Sequence, residues 1–296
     1  MKALPTDLFS SENALIQRMF HEPMAIMLDS MPGLLLSLGD SNPAVELRDT
    51  LDKNSIKGEF VLTSDRYGNP IPKMVLAKGL AFIQLKGTTI KGGGNLAKWY
   101  GMAELDTFNA DLAKAKVDPE VRGIVLDVAS GGGYLTGIEE TANEVKNIAD
   151  NFKPVMTYTD SMMGSAAYYV GSGASVVYAT PSSMIGSIGS FVAFQDVSAF
   201  MEKFGIKMHV FRSGEHKGVG IDGVSKNQAK HIQERVETAG ETFRSFVSSR
   251  RSLIKSEDMQ GQAYFGTEAG TKGFLTAVVS NMDEAVRKFM KNLDGK

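Results

Sequence analysis

The 296-residue sequence has no cysteine, a single tryptophan and only four histidines. Without cysteine there is no disulfide, no thiolate nucleophile and no Cys-based metal site. That suits a reducing compartment but does not prove one, since exported proteins also lack cysteine. No run of lysine and arginine exceeds three residues and the formal net charge is -2, so a nucleic-acid role has no electrostatic footprint. Apolar runs are short: "GLLLSLG" (33–39) falls far below the roughly 20 residues of a membrane span. The start, "MKALPTDLFSSENALIQRMF", carries acidic residues where a secretory signal needs an apolar core. The expectation is a soluble, untargeted chain.

What the sequence does have is alternation. Residues 1–40 read as two amphipathic helical pieces broken near Pro23 and Pro32, and 40–75 as a polar, turn-rich linker. The expected division is an N-terminal arm over 1–75 and one domain over 76–296. Within the domain, strands are expected around 75–87, at 121–128, 154–160, 175–179 and 207–211. Helices are expected at 96–117, 137–150, 165–173 and 226–251. Strands alternating with helices of this length predict an α/β fold with a parallel-rich sheet.

Three glycine-bearing stretches stand out. "LDVASGGGYLTG" (126–137) reads as a strand running through three glycines into a helix. It is either a tight turn or an anion cradle of converging N–H groups at a helix start. A dinucleotide pyrophosphate would fit such a cradle, but the acidic residue of that fingerprint belongs about 20 residues on, and Asp160 lies farther. The oxyanion of acyl transfer would also fit. "GSAAYYVGSGASVVYATPSSMIGSIG" (164–189) puts Ser165 at a strand-to-helix junction, either as a plain N-cap or as a nucleophile. "FRSGEHKGVGIDG" (211–223) surrounds His216 and Lys217 with four glycines.

A serine nucleophile needs a base. Of His21, His209, His216 and His231, only His216 falls in a suitable loop. Lysine is the other option, because burial lowers its pKa until the neutral amine can accept the serine proton.

"VASGGGYLTG", "MGSAAYYVGSGASVVYATPSSMIGSIG" and "FRSGEHKGVG" together resemble, in order and spacing, the signatures of the signal peptide peptidase A family of serine proteases. The resemblance covers about residues 76–285. Within the family, "HEPMAIM", "KGLAFIQLKGT" and "SGEHKGVG" are most similar to the head proteases of lambda-type tailed phages.

The resemblance implies a Clp protease/crotonase-like spiral of ββα units. It makes Ser165 the nucleophile, Lys217 the general base and Ser187 the serine that orients the lysine. Gly132, Gly133 and Ala166 become the oxyanion donors. No metal and no cofactor are expected. One departure is visible: Gly131 stands where the family often has proline. Family members form rings, in some of which a neighbouring protomer supplies the lysine, so a homo-oligomer is expected.

In the phage branch the implied substrates are scaffold and portal proteins, cleaved in the host cytoplasm inside the assembling procapsid among capsid proteins. The arm would then bind the shell, the portal or a neighbouring copy. Relatives often continue into a scaffold region; with Lys296 the last residue, any scaffold is expected to be a separate product or absent. Three other readings stay open: a host-type signal-peptide-degrading protease, a dinucleotide-binding oxidoreductase, and a catalytically idle assembly protein. Trp99 and Tyr100 are candidates for a substrate groove, or simply core.

Overall fold

The computed structural model describes residues 24–26, 59–64, 70–77, 79–94, 97, 100–193 and 198–295. The expected helical pieces of the arm lie outside them, apart from Met24–Ile26, which form strand β1. β2 (Glu59–Ser64) and β3 (Pro70–Ala77) then pair antiparallel, and β3 pairs antiparallel with β4 (Leu80–Lys86).

From β4 onward the chain repeats one unit: a long strand, a short strand, a helix. β4 leads to β5 (Thr89–Ile90), β6 (Ala103–Glu104) and α1 (Leu105–Val117). β7 (Gly123–Ala129) leads to β8 (Gly132–Tyr134) and α2 (Ile138–Asn151). β9 (Val155–Thr159) leads to β10 (Met162–Gly164) and α3 (Ala166–Ser172). β11 (Val176–Ala179) leads to β12 (Met184–Gly186), α4 (Ser198–Lys203) and the long α5 (Lys226–Arg250). The chain closes with β13 (Ala263–Phe265), α6 (Gly266–Thr271), β14 (Ala277–Val278) and α7 (Met282–Asp294). This is the expected α/β spiral of ββα units.

The long strands form a seven-stranded sheet in the order β14-β11-β9-β7-β4-β3-β2, parallel from β14 to β4. The short strands peel away into two smaller sheets, β1-β8-β5-β6 and β10-β12-β13. Both faces of the main sheet are covered, which is why its strands read as unbroken apolar runs. Ala81, Ile83 and Leu85 face Phe108 and Leu112 of α1 and Val145 and Ile148 of α2. Leu80 and Phe82 turn the other way, with Val125 and Met156, toward Ala285, Val286 and Phe289 of α7.

Two expected elements differ. The helix expected over 96–117 is interrupted: Gly94 and Ala97 are helical, but Gly101 is left-handed (φ 64°), β6 intervenes, and α1 begins only at Leu105. Residues 207–211 form no strand: they are mostly exposed, and no strand among the described residues offers them a ladder. Trp99 lies outside the described residues, and Tyr100 is half-buried. No helix among the described residues is long and apolar enough to cross a membrane.

Candidate active site

Ser165 sits in the one-residue turn between β10 and α3, with φ 53° and ψ −122°. Among the described residues only Ser165 and Ser187 combine a side chain with positive φ, and both have φ 53°. An L-residue in this region is strained by roughly 1–3 kcal/mol, and such strain gathers at functional sites. Ser165 makes no side-chain cap bond to its helix, so the plain N-cap reading fails. Its residue is only 1% exposed.

The backbone around the serine is pinned from both sides. Ser130, just past β7, donates its N–H to the Met162 carbonyl and accepts from the Gly164 N–H, each at 3.0 Å. The Ser165 N–H donates to the Gly186 carbonyl at 2.7 Å. Gly164 lies opposite Gly186 in the parallel β10–β12 pair. Ser187 follows, and its N–H donates to the Gln262 carbonyl at 2.6 Å. A Cβ on Gly186 would stand 2.8 Å from that carbonyl, so only glycine fits there. Sequence reasoning missed Ser130 and Gln262 as supports; Ser130 at least lay inside the quoted "ASGGG".

All seven residues of α3 are buried. The Tyr168 hydroxyl donates to the Phe274 carbonyl at 2.9 Å, and Tyr169 stacks on Phe243 of α5 with ring centroids 4.4 Å apart. Burial, above all, pushes both phenols well above their ordinary range, so they stay neutral. Phe274 also packs against Tyr264 of β13. The Tyr264 hydroxyl donates to Asp258, and Lys272 donates to the same carboxylate at 2.7 Å. These bonds hold the Asp258 carboxyl below the usual carboxylate range.

The three glycines do not open a helix. They turn β7 into β8, and α2 begins only at Ile138, after a left-handed Gly137 with φ 84°. The dinucleotide fingerprint needs its glycines at a helix start, and that condition is not met. Gly132 (φ 102°) donates its N–H to Ser130 Oγ at 3.1 Å. Gly133 lies against β5: an added Cβ would stand 2.3 Å from the Thr89 carbonyl oxygen.

The structure thus brings Ser165, Ala166, Ser187, Gly132 and Gly133 around the connection between Ser130 and Gly164. It does not bring Lys217 there. Lys217 lies on an exposed loop, where its N–H donates to the Gly214 carbonyl at 3.0 Å. Among the described residues no side-chain hydrogen bond joins it to either serine. His216 is exposed too, 4.7 Å from the His231 ring. The same segment exposes Phe200, Phe204, Ile206, Met208, Phe211 and Ile221.

Residues 147–295 match peptidase family S49. The chain belongs to this family. Capsid assembly protease C of Escherichia phage lambda is 29% identical over 212 residues, 69% of this chain and 47% of that protein. The head-tail preconnector protein GP5 of Enterobacteria phage P21 is 26% identical over 71% of this chain and 42% of its own length. Protease 4 of Haemophilus influenzae is 28% identical over 71% of this chain and 34% of its own. The chain therefore spans half or less of the length of these three relatives. Among solved structures, an enoyl-CoA hydratase/isomerase family member is similar at 14% identity and TM-score 0.43, covering 81% of this chain and 77% of that one. A mutant of the 1510-N membrane-bound stomatin-specific protease is similar at 12% identity and TM-score 0.41, covering 71% and 83%.

Proposed function

We propose that this S49 chain is a serine endopeptidase with a Ser-Lys dyad, acting in phage procapsid maturation. The observation that carries the chemistry is Ser165: buried, uncapped and strained at a strand-to-helix turn, with a second serine at the same positive φ just past the paired strand.

Ser165 Oγ attacks the scissile carbonyl while the Lys217 amine takes its proton, and Ser187 holds that amine in register. The tetrahedral oxyanion is met by backbone N–H groups of Gly133 and Ala166, beside Gly132. One such donor is typically worth about 3–4 kcal/mol of transition-state stabilisation. Collapse breaks the peptide C–N bond, and Lys217 passes its proton to the leaving amine. A water then attacks the acyl-enzyme ester, with Lys217 accepting its proton and Ser165 leaving as the restored hydroxyl.

The exposure of Lys217 supports a base shared between copies. A loop whose large apolar side chains face solvent in the single chain is suited to burial against a neighbour. On this reading the working unit is a homo-oligomer in which Lys217 of one copy reaches Ser165 of the next, and the isolated monomer is inactive. The protease domain takes in β1, β2 and β3 as well as residues 76–296, because all three strands pair into its sheets, and the boundary expected at 75/76 falls inside β3.

The similarity to the lambda and P21 proteins favours scaffold protein, and with it portal protein, as substrates within the procapsid in the host cytoplasm. A signal-peptide-degrading role is the second reading, favoured by the similarity to Protease 4. Co-expression with the neighbouring capsid and scaffold genes, wild type against Ser165→Ala, separates the two. Scaffold fragments formed only with wild type support the phage reading. Intact scaffold in both overturns it and leaves signal peptides to be tried.

A further inference from the structure

β8 carries two of the proposed oxyanion glycines, and both of its edges are occupied. Thr89 of β5 pairs with Gly133 on one side. On the other, Met24, Ala25 and Ile26 of β1 pair antiparallel with Tyr134, Gly133 and Gly132. β1 is the outermost strand of that sheet, and it comes from far upstream in the chain.

An extended peptide binds a sheet by adding a strand to an open edge, its main chain supplying the hydrogen bonds. The edge of β8 not covered by β5 is the one β1 covers. β8 begins two residues beyond Ser130, which is bonded to Gly164, the residue before Ser165. The covered edge therefore runs up to the nucleophile.

The register also gives the occupant a direction. Met24 lies opposite Tyr134 and Ile26 opposite Gly132, so the C-terminal end of β1 is the end toward Ser130 and Gly164. A peptide loaded this way points the carbonyl following its paired segment at Ser165. The backbone of β1 has the polarity of the acyl half of a substrate.

We propose that Met24–Ile26 is a substrate-like strand held on the peptide-binding edge of β8, where it competes with incoming peptide. The proposal rests on the peptidase reading of the site. Three residues give a shallow hold, so a longer peptide can displace the strand, and tethering within one chain keeps it present at high effective concentration.

The experiment uses the full chain with Ala25→Pro and Ile26→Pro together. Neighbouring N–H groups of a strand point to opposite sides, so removing both deletes one that faces β8. Steady-state cleavage of an exogenous peptide is compared with wild type. With the strand in place nine-tenths of the time, the variant's KM is about tenfold lower at unchanged kcat. A synthetic peptide of residues 19–30 is also added to both proteins. It is expected to inhibit competitively, and more strongly in the variant; inhibition of the wild type does not depend on how the variant folds.

An unchanged KM together with no inhibition by the peptide overturns the proposal. So does a lower melting temperature with an unchanged KM, which makes β1 a simple edge cover. If wild type cleaves no better than Ser165→Ala, the peptidase reading fails first, and this one with it.

Discussion

Ser165 and Ser187 have the same positive φ, 53°, at the ends of two paired parallel strands, and the Ser165 N–H donates to the carbonyl of Gly186. The second serine is thereby fixed relative to the first through the main chain. Moving either turn breaks the bond between them, so the strain in the two is held by one framework.

That strain has a measurable sign. Ser165→Gly removes the steric clash at positive φ but adds freedom to the unfolded chain, for a net gain of about 1 kcal/mol. In a chain this size the melting temperature rises by about 2–4 °C. Ser165→Ala keeps the strain and melts with wild type. Both variants lose cleavage. Thermal melts run beside an activity assay check the pair, and a Ser165→Gly protein that melts well below wild type contradicts the strain.

Lys217 on an exposed loop predicts complementation. Ser165→Ala and Lys217→Ala proteins are each inactive, but mixed one to one and reassembled they recover activity. In a random heterologous ring about a quarter of the sites combine an intact serine with an intact lysine from the next copy. Recovery near that fraction is expected. A mixture as inactive as its parents places the lysine and serine in the same chain.

Gly133 is held against β5 by backbone, which cannot yield as a side chain tip could. Gly133→Ala puts a Cβ 2.3 Å from the Thr89 oxygen and 2.6 Å from its nitrogen. The expected destabilisation is about 1–3 kcal/mol, the usual range for overpacking, with cleavage lost because β8 shifts. Denaturant unfolding measures it, and a neutral substitution contradicts the packing.

The Asp258–Lys272 pair supports β13, whose partner β12 leads into Ser187. The Asp258 carboxyl is held below its ordinary value, chiefly by the Lys272 hydrogen bond, so its stabilisation is present above about pH 3.9 and lost as pH falls through the lowered value. The Lys272 amine is held above its ordinary value, chiefly by Asp258, so its share is present below about pH 10.4 and lost as pH rises through the raised value. Stability from this pair is flat between those limits. Asp258→Asn lowers the melting temperature across that plateau and flattens the acid limb; an acid limb identical to wild type contradicts the assignment.

The long strands were legible because burial on both faces leaves them as continuous apolar runs, as in "GIVLDVA" of β7 and "VMTYT" of β9. The helix after Ser165 was legible from its small residues and flanking strands. The short strands were not, since three residues such as Gly132–Tyr134 or Met24–Ile26 show no period, and their pairing depends on distant partners. For the same reason the three glycines looked like a helix start. "KMHVF" misled in the opposite direction: Met208 and Phe211 stay exposed and Val210 is half-buried, and local pattern alone cannot tell such a segment from a paired strand. The strain at Ser165 and Ser187 is a backbone property that a Ser code does not reveal.

The most direct test of the account is digestion of an unfolded protein by the assembled wild type and by Ser165→Ala in parallel, with products read by mass spectrometry. Discrete fragments with wild type and none with Ser165→Ala is the predicted result. The same fragments from both proteins would remove Ser165 as the nucleophile and contradict the account.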